Sequence, residues 1–290
     1  MENSKFLSFI GLGIMGQPMA GHLLAGHHAL TVFSRTKSKA DELLNQGAKW
    51  ADSAMEAARE AEIVFLCLPD TPDVERVVRE ILPVLHPGQI VIDHSTISPS
   101  ATRVMAEQVA AKGASFLDAP ISGGDVGAKN ATLSIMVGGS TDAFATVEPY
   151  LKLMGKTVTH CGPSGAGQLT KLTNQILVSL TNLATCEALT FALKNGLDGQ
   201  KTLAALSGGA GNSWQFSNLG PRMLAGDFAP GFMIDLQVKD LRLVEEAATA
   251  AKIKLNAAHL VHQLFINLQK MGEGKAGTQA LFQVVQAAAR

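Results

Sequence analysis

The stretch FLSFIGLGIMGQPMAGHLLAG, residues 6–26, decides the fold. Phe6 to Ile10 is a β-rich run, and Ile14 to Ala25 has the apolar period of a helix closed by Gly26. The turn between them holds Gly11, Gly13 and Gly16 in the spacing GxGxxG. In that setting the first glycine permits a tight turn, the second lets a pyrophosphate approach the backbone, and the third lets helix and strand pack closely. The free N–H groups of the helix start then face the phosphates. Gly11, Leu12, Gly13, Ile14, Met15 and Gly16 are therefore assigned to a dinucleotide.

The second strand, Leu30 to Phe33, runs into Ser34-Arg35-Thr36, with Lys37 next. A carboxylate at this point would bind a ribose 2′-hydroxyl; a hydroxyl and a guanidinium instead favour a 2′-phosphate, which an acid would repel. NADP(H) is expected in preference to NAD(H), with NAD(H) possible. The opposing reading is that Arg35 only covers the solvent face of the adenine. Beyond this point short β-rich runs (Ile63 to Leu68, Ile90 to Asp93, Ser115 to Leu117, Leu133 to Val137, Val158 to Cys161) alternate with helical stretches such as Lys37 to Asn45, closed by Gly47. That alternation reads as a parallel sheet flanked by helices.

After GPSG at 162–165 the strands stop. Gln168 to Asn195 has no Pro or Gly and an apolar stripe including Leu172, Ile176, Leu180, Leu183 and Leu189, which predicts a helix of about seven turns ended by Gly196. Further helices are expected at Gln200 to Leu206, Leu236 to Ala251, Ala257 to Met271 and Gln279 to Ala289. The fold class is α/β: an N-terminal Rossmann-type doubly wound sheet, residues 1–162, and an all-helical domain for substrate and oligomerisation, 163–290, joined by a long interdomain helix.

The 290 residues are 47% hydrophobic and 17% charged, with 24 Lys+Arg against 25 Asp+Glu, which excludes a disordered chain and any strong net field. A net charge of −1 gives no reason to expect nucleic acid or an acidic membrane. The apolar run Ile63 to Leu68 is far shorter than the ~18 residues a membrane helix needs, so no membrane span is expected. MENSK lacks a basic region ahead of an apolar stretch and leads directly into the first strand, so no cleavable leader is expected. Cys67, Cys161 and Cys186 are odd in number and lack ligand spacing; reduced, buried thiols in a cytoplasm, and no metal, are expected.

Three constellations remain: DAPISGG at 118–124, GQLTKLTNQ at 167–175 and Lys239-Asp240-Leu241. Lys171 alone could be a solvated lysine, but Asn174 and Gln175 follow at i+3 and i+4 and share its helical face, giving a polar cluster able to orient an ammonium group and a substrate oxygen. Ser122-Gly123-Gly124 offers a hydroxyl and two unencumbered N–H groups suited to a carboxylate, or a plain turn. Lys239 and Asp240 are adjacent, so on a helix their side chains diverge by about 100° and are expected not to share one task. His94 reads as structural.

With FIGLGIMGQPM, these motifs resemble the β-hydroxyacid dehydrogenases, the group of 3-hydroxyisobutyrate dehydrogenase, tartronate semialdehyde reductase and glyoxylate/succinic semialdehyde reductases, from Phe9 to about Val285. The resemblance implies Lys171 as the catalytic acid/base with Asn174 assisting. It gives Ser122, Gly123, Gly124, Gln175, Phe232 and Asp240 to the substrate. It adds Ser34, Arg35, Thr36, Leu68, Pro69, Thr96 and Lys239 to the cofactor contacts. Trp214 lines either the substrate pocket or a subunit contact. The chemistry fits: hydride delivered to a carbonyl carbon leaves an alkoxide that an ammonium can stabilise and protonate. An ordinary lysine titrates near ~10.4 and is already an acid at neutral pH, so reduction is the easier direction. The expected partner is a small carboxylate-bearing aldehyde or hydroxy acid, and the protein a homodimer or homotetramer. The alternatives are an NAD-dependent 3-hydroxyisobutyrate dehydrogenase, or, in another class, a catalytically silent NADP-binding sensor or scaffold.

Overall fold

A computed structural model of the chain describes residues 5–289. The segment MENSK, on which the reading of a leader rests, lies outside it except for Lys5. The chain divides into two compact units, Met1–Lys171 and Leu172–Arg290.

In chain order the first unit holds β1 (Phe6–Ile10), α1 (Gly16–Ala25), β2 (Ala29–Phe33), α2 (Asp41–Asn45), β3 (Lys49–Trp50), α3 (Ala54–Arg59), β4 (Ile63–Leu66), α4 (Thr71–Ile81), β5 (Ile90–Asp93), α5 (Pro99–Ala110), β6 (Ser115–Asp118), β7 (Ile121–Ser122), α6 (Gly124–Lys129), β8 (Leu133–Gly138), α7 (Thr141–Leu151) and β9 (Gly155–Gly162). The sheet order is β3-β2-β1-β4-β5-β6-β8-β7, with β9 also paired to β8. Its first six strands follow the 3-2-1-4-5-6 order of a dinucleotide-binding sheet, whose crevice opens where the order reverses, between β1 and β4. The expected parallel sheet holds as far as β6. There it changes, because β8 pairs antiparallel with β6 and β7 and parallel with β9. Alternation along the strands fills both faces: Phe9, Phe65 and Ile92 point into one apolar cluster, and Ile10, Val64, Leu66 and Val91 into the other. Each such side chain contributes roughly 1.5–3 kcal/mol of burial.

The second unit comprises most of α8 (Ala166–Lys194), then α9 (Gly199–Leu206), α10 (Trp214–Ala225), α11 (Ile234–Ala250), α12 (Asn256–Lys270) and α13 (Leu281–Ala288). Leu172, Leu183, Cys186 and Leu189 of α8 pack with Phe216, Leu241, Val261, Phe265 and Phe282 in one core. By length and composition α8 could cross a membrane. Polar residues punctuate the helix, so its sequence holds no long unbroken apolar run. Gln175, Ser179 and Asn182 are buried on it, and Asn182 Nδ2 donates to Thr278 O at 2.9 Å; such satisfied polar groups belong to a helix packed in protein.

Several local readings are corrected. Helix α1 begins at Gly16 rather than Ile14; it is closed by Gly26 as expected, at φ −73, with the left-handed residue being His27 at φ 63. The third long strand stops at Leu66, leaving Leu68 in the loop beyond it. Lys37–Ala40 is a 3-10 turn ahead of α2. The strands β3 and β7, of two residues each, are too short to show alternation. Helix α10 escaped notice because Gly220 and Pro221 interrupt its sequence, although Ser213 caps it by accepting from Phe216 N. Only Cys186 is buried; Cys67 and Cys161 are half-buried, and none of the three is in a disulfide.

His94 is buried at the end of β5, stacked on Phe65, which in turn stacks on Phe9. Its Nδ1 donates to Ala119 O at 2.7 Å. Burial lowers its pKa to about 4, against the smaller opposing effect of that hydrogen bond. The unfolded chain therefore takes up a proton near pH 6.5 that the folded chain accepts only near pH 4. Stability is full above the higher value and falls as pH drops through this window, by up to about 1.4 kcal/mol per unit. Urea unfolding between pH 7 and 4 should show wild type losing about 3 kcal/mol more than His94→Asn, whose amide can keep the bond to Ala119. Parallel stability profiles would refute this account.

Candidate functional site

At the C-terminal end of β1, Gly11 N donates to Phe33 O and adopts φ 105, where a Cβ would also strike Cys67 O. A Cβ on Gly16 would strike Gly11 O, so the first turn of α1 lies against the strand end only because both positions are glycine. At Gly13, by contrast, a Cβ would meet nothing within 4 Å. Helix α1 has no side-chain cap and no acid in its first turn. An open glycine beside an uncapped helix start suits a pyrophosphate, so these residues fit a dinucleotide. Leu12 is buried beneath the turn, Met15 is half-buried, and Ile14 is exposed.

Beyond β2, Ser34 is half-buried and Arg35 and Thr36 are exposed. Arg35 Nη1 lies 3.6 Å from Asp73 Oδ1 on α4, and Arg76 Nη2 is also 3.6 Å from that oxygen. Lys37 Nζ lies over the Trp50 ring, 5.3 Å from its centroid. Leu68 N donates to Ser95 Oγ at 2.8 Å, which joins the loop after β4 to the loop after β5, where Thr96 is half-buried. Pro69 is exposed. Neither Asp73 nor Arg76 had a sequence signal, since both come from a helix remote from the glycine motif.

The start of α8 is held by two buried side chains. Asp118, the last residue of β6, accepts from Gly165 N through Oδ1 and from Gln168 N through Oδ2, each at 2.8 Å. Burial raises its pKa, and the backbone N–H groups around it oppose that rise. Gly138 and Gly167 leave room for the carboxylate: a Cβ on Gly138 would lie 2.6 and 2.8 Å from its oxygens. Gln168 is wholly buried; its Nε2 donates to Ser95 O at 2.8 Å and its Oε1 accepts from Ile97 N at 3.1 Å, on either side of Thr96. Lys171, only 6% exposed, follows one turn later. Four residues beyond Asp118, half-buried Ser122 leads into Gly123 (φ 134) and Gly124 (φ 63) at the start of α6. Asp118 and Gln168 were both quoted in the sequence motifs without a role.

In the second unit, Asn174 Nδ2 donates to Gln175 Oε1 at 2.9 Å, and Gln175 Nε2 donates to Asp240 Oδ2 at 2.6 Å. Lys239 Nζ lies 2.7 Å from Asp240 Oδ1. The expected divergence of these neighbouring side chains is corrected: the flexible lysine stem bends back across the 100° between them. Phe232 is half-buried in the segment before α11, and its carbonyl accepts from Thr278 N. Trp214 is exposed. Among the described residues, no group of three or more His, Cys, Asp or Glu could hold a metal ion.

Residues 7–162 match the family model described as the NAD binding domain of 6-phosphogluconate dehydrogenase. Residues 165–285 match that described as NAD-binding of NADP-dependent 3-hydroxyisobutyrate dehydrogenase. The chain is 40% identical to the 2-hydroxy-3-oxopropionate reductase of Escherichia coli K12 over 97% of each chain. It is also 40% identical to the probable 3-hydroxyisobutyrate dehydrogenase-like 1 of Arabidopsis thaliana, over 97% of this chain and 84% of that one. A structure of Mycobacterium tuberculosis 3-hydroxyisobutyrate dehydrogenase with L-serine superposes with a TM-score of 0.91 at 30% identity, covering 98% of this chain and 100% of that one. The glycine turn, the helical second half and these matches together make the chain a member of the β-hydroxyacid dehydrogenase family, an NAD(P)-dependent oxidoreductase acting on the CH–OH group of a hydroxy acid.

Proposed function

We propose that the chain reduces a small carboxylate-bearing semialdehyde or 2-keto acid with NADPH, Lys171 serving as general acid. The observation that carries this reading is the bracing of the α8 start. Gln168 and Asp118 tie the turn that leads to Lys171 to the Ser95–Ile97 loop and to the strand that leads to Ser122. Residues read separately as cofactor contact, carboxylate contact and proton donor thus come from one rigid frame.

A dinucleotide held at the Gly11–Gly16 turn would supply the hydride that the carbonyl carbon takes up. The Lys171 ammonium stabilises the charge growing on the carbonyl oxygen and passes its proton from Nζ to that oxygen. The Ser122 hydroxyl and the N–H groups of Gly123 and Gly124 hold the substrate carboxylate, which fixes the carbonyl face presented to the hydride. In the reverse reaction Lys171 must first lose its proton, so alcohol oxidation is expected to rise toward alkaline pH while reduction does not. Opposite profiles would count against Lys171.

Arg35 supports the choice of NADPH through charge and bidentate geometry. Asp73 favours the second reading, an NAD-dependent 3-hydroxyisobutyrate dehydrogenase, because its carboxylate offsets the guanidinium charge. Initial rates with NADPH and NADH against glyoxylate, succinic semialdehyde, tartronate semialdehyde and methylmalonate semialdehyde separate the two. NADPH should have the lower KM on the preferred acid, and Arg35→Ala should raise the KM for NADPH about 10-fold or more while leaving that for NADH nearly unchanged, as befits the loss of one charge-assisted contact. An Arg35→Ala enzyme that keeps its NADPH preference overturns the assignment. Lys171→Ala should bind NADPH normally yet lose at least about 100-fold in kcat, the range of a general acid; near-normal turnover would remove Lys171 from the chemistry.

A further inference from the structure

Gly165 and Gln168 present backbone N–H groups at the start of a 29-residue helix, and the acceptor for both is a side chain from a strand 47 and 50 residues earlier. Four other helices of the first unit are capped by their own N-cap side chain: Ser53 at α3, Asp70 at α4, Ser98 at α5 and Ser140 at α7. A cap borrowed from a strand does more than satisfy donors. Two oxygens on two N–H groups fix the height of the helix start and its rotation about the axis. Gln168 adds two further bonds to the loop around Thr96. Lys171 lies three residues beyond Gln168, about 4.5 Å along the axis and about 60° round it. Any slip or rotation of the first turn therefore carries directly to Nζ.

We infer that Asp118 and Gln168 are positioning residues for proton transfer, a pair that sets where the Lys171 ammonium stands relative to the loop bearing Thr96 and the short strand that ends at Ser122. This rests on the reading of Lys171 as proton donor. Asp118 presents nothing to substrate, since both of its oxygens are engaged by the helix start, and Gln168 has both ends of its amide bonded to the Ser95–Ile97 segment. The glycines at 138 and 167 are part of the device, because any side chain there would fill the space the carboxylate occupies.

The test is a double-mutant cycle on the full-length enzyme, read as kcat, substrate KM and NADPH dissociation constant. Asp118→Asn keeps the shape but turns one acceptor into a donor facing an N–H. Gln168→Met keeps the length and removes both bonds. Each should lower kcat about 10- to 100-fold, the scale of a misplacement of ~1 Å, with the NADPH dissociation constant changed less than about 3-fold. In a Lys171→Ala background each should lower the residual rate less than about 3-fold, since a residue acting through Lys171 has nothing left to position. If Lys171→Ala retains turnover, the reading of the donor fails. If Lys171→Ala is impaired but both cap variants keep wild-type kcat, or lower it equally with and without Lys171, the positioning inference fails. Should Asp118→Asn not bind NADPH, Gln168→Met decides alone; loss of NADPH binding by both would make the pair a requirement for assembling the unit and overturn the inference.

Discussion

A helix that begins inside a protein presents N–H groups that neither water nor its own turns can satisfy, and the start of α8 is such a place. Asp118 supplies the acceptors from the end of β6, within a space kept clear by Gly138 and Gly167. Much of the first unit follows from that arrangement. The sheet order is interrupted just there, where β8, carrying Gly138 at its end, runs antiparallel to β6 with Asp118 and Gly138 as register partners. The change of direction in the sheet thus brings the glycine beside the carboxylate. Leaving one such buried donor unsatisfied costs about 1–3 kcal/mol, a large share of the stability of an ordinary domain.

The same economy of acceptors and donors ties the strand-end loops together. Ser95 accepts from Leu68 N through its hydroxyl and from Gln168 Nε2 through its carbonyl, while its own N–H donates to Asp93. One residue therefore joins the ends of β4 and β5 to the start of α8. The near-neutral total of −1 conceals where charge has been placed. Arg35 stands exposed beside Asp73, whereas Lys171 and Asp240 are buried and Lys239 is half-buried. Screening by salt weakens the first much more than the others.

The sequence is legible where a local rule governs. GxGxxG between a β-rich run and a helical period locates Gly11, Gly13 and Gly16, and the stretch without Pro or Gly from Gln168 to Asn195 reveals α8, because spacing alone carries the physics in both. Fold class follows from the alternation of strands and helices. What stays hidden depends on partners distant in the chain. The antiparallel turn at β8 leaves no trace in its own apolar run. The cap on α8 pairs residues about fifty positions apart, and Asp73 meets Arg35 from another helix. Helix α10 was hidden by Gly220 and Pro221, although Gly220 has a packing reason, since a Cβ there would lie 2.7 Å from Leu203. Lys239 and Asp240 show the opposite failure: a rule about helix faces was applied to a side chain long enough to cross from one to the other.

That pair has a further consequence within the second unit. Gln175 accepts from Asn174 and donates to Asp240, so the orientation of its amide follows from its neighbours. Asp240 receives Gln175 on one oxygen and Lys239 on the other, with 2% of its side chain exposed. A buried ion pair of this kind adds little net stability, because desolvation offsets the attraction, and an apolar pair of similar volume would serve the core equally well. What it adds is directionality: Asn174 donates to Gln175, Gln175 donates to Asp240, and Lys239 meets the other oxygen of Asp240. Reversing any member leaves a buried polar group unmatched. The network therefore turns the amide group of Asn174 toward Gln175, and through Gln175 links α8 to the Lys239–Asp240 pair on α11.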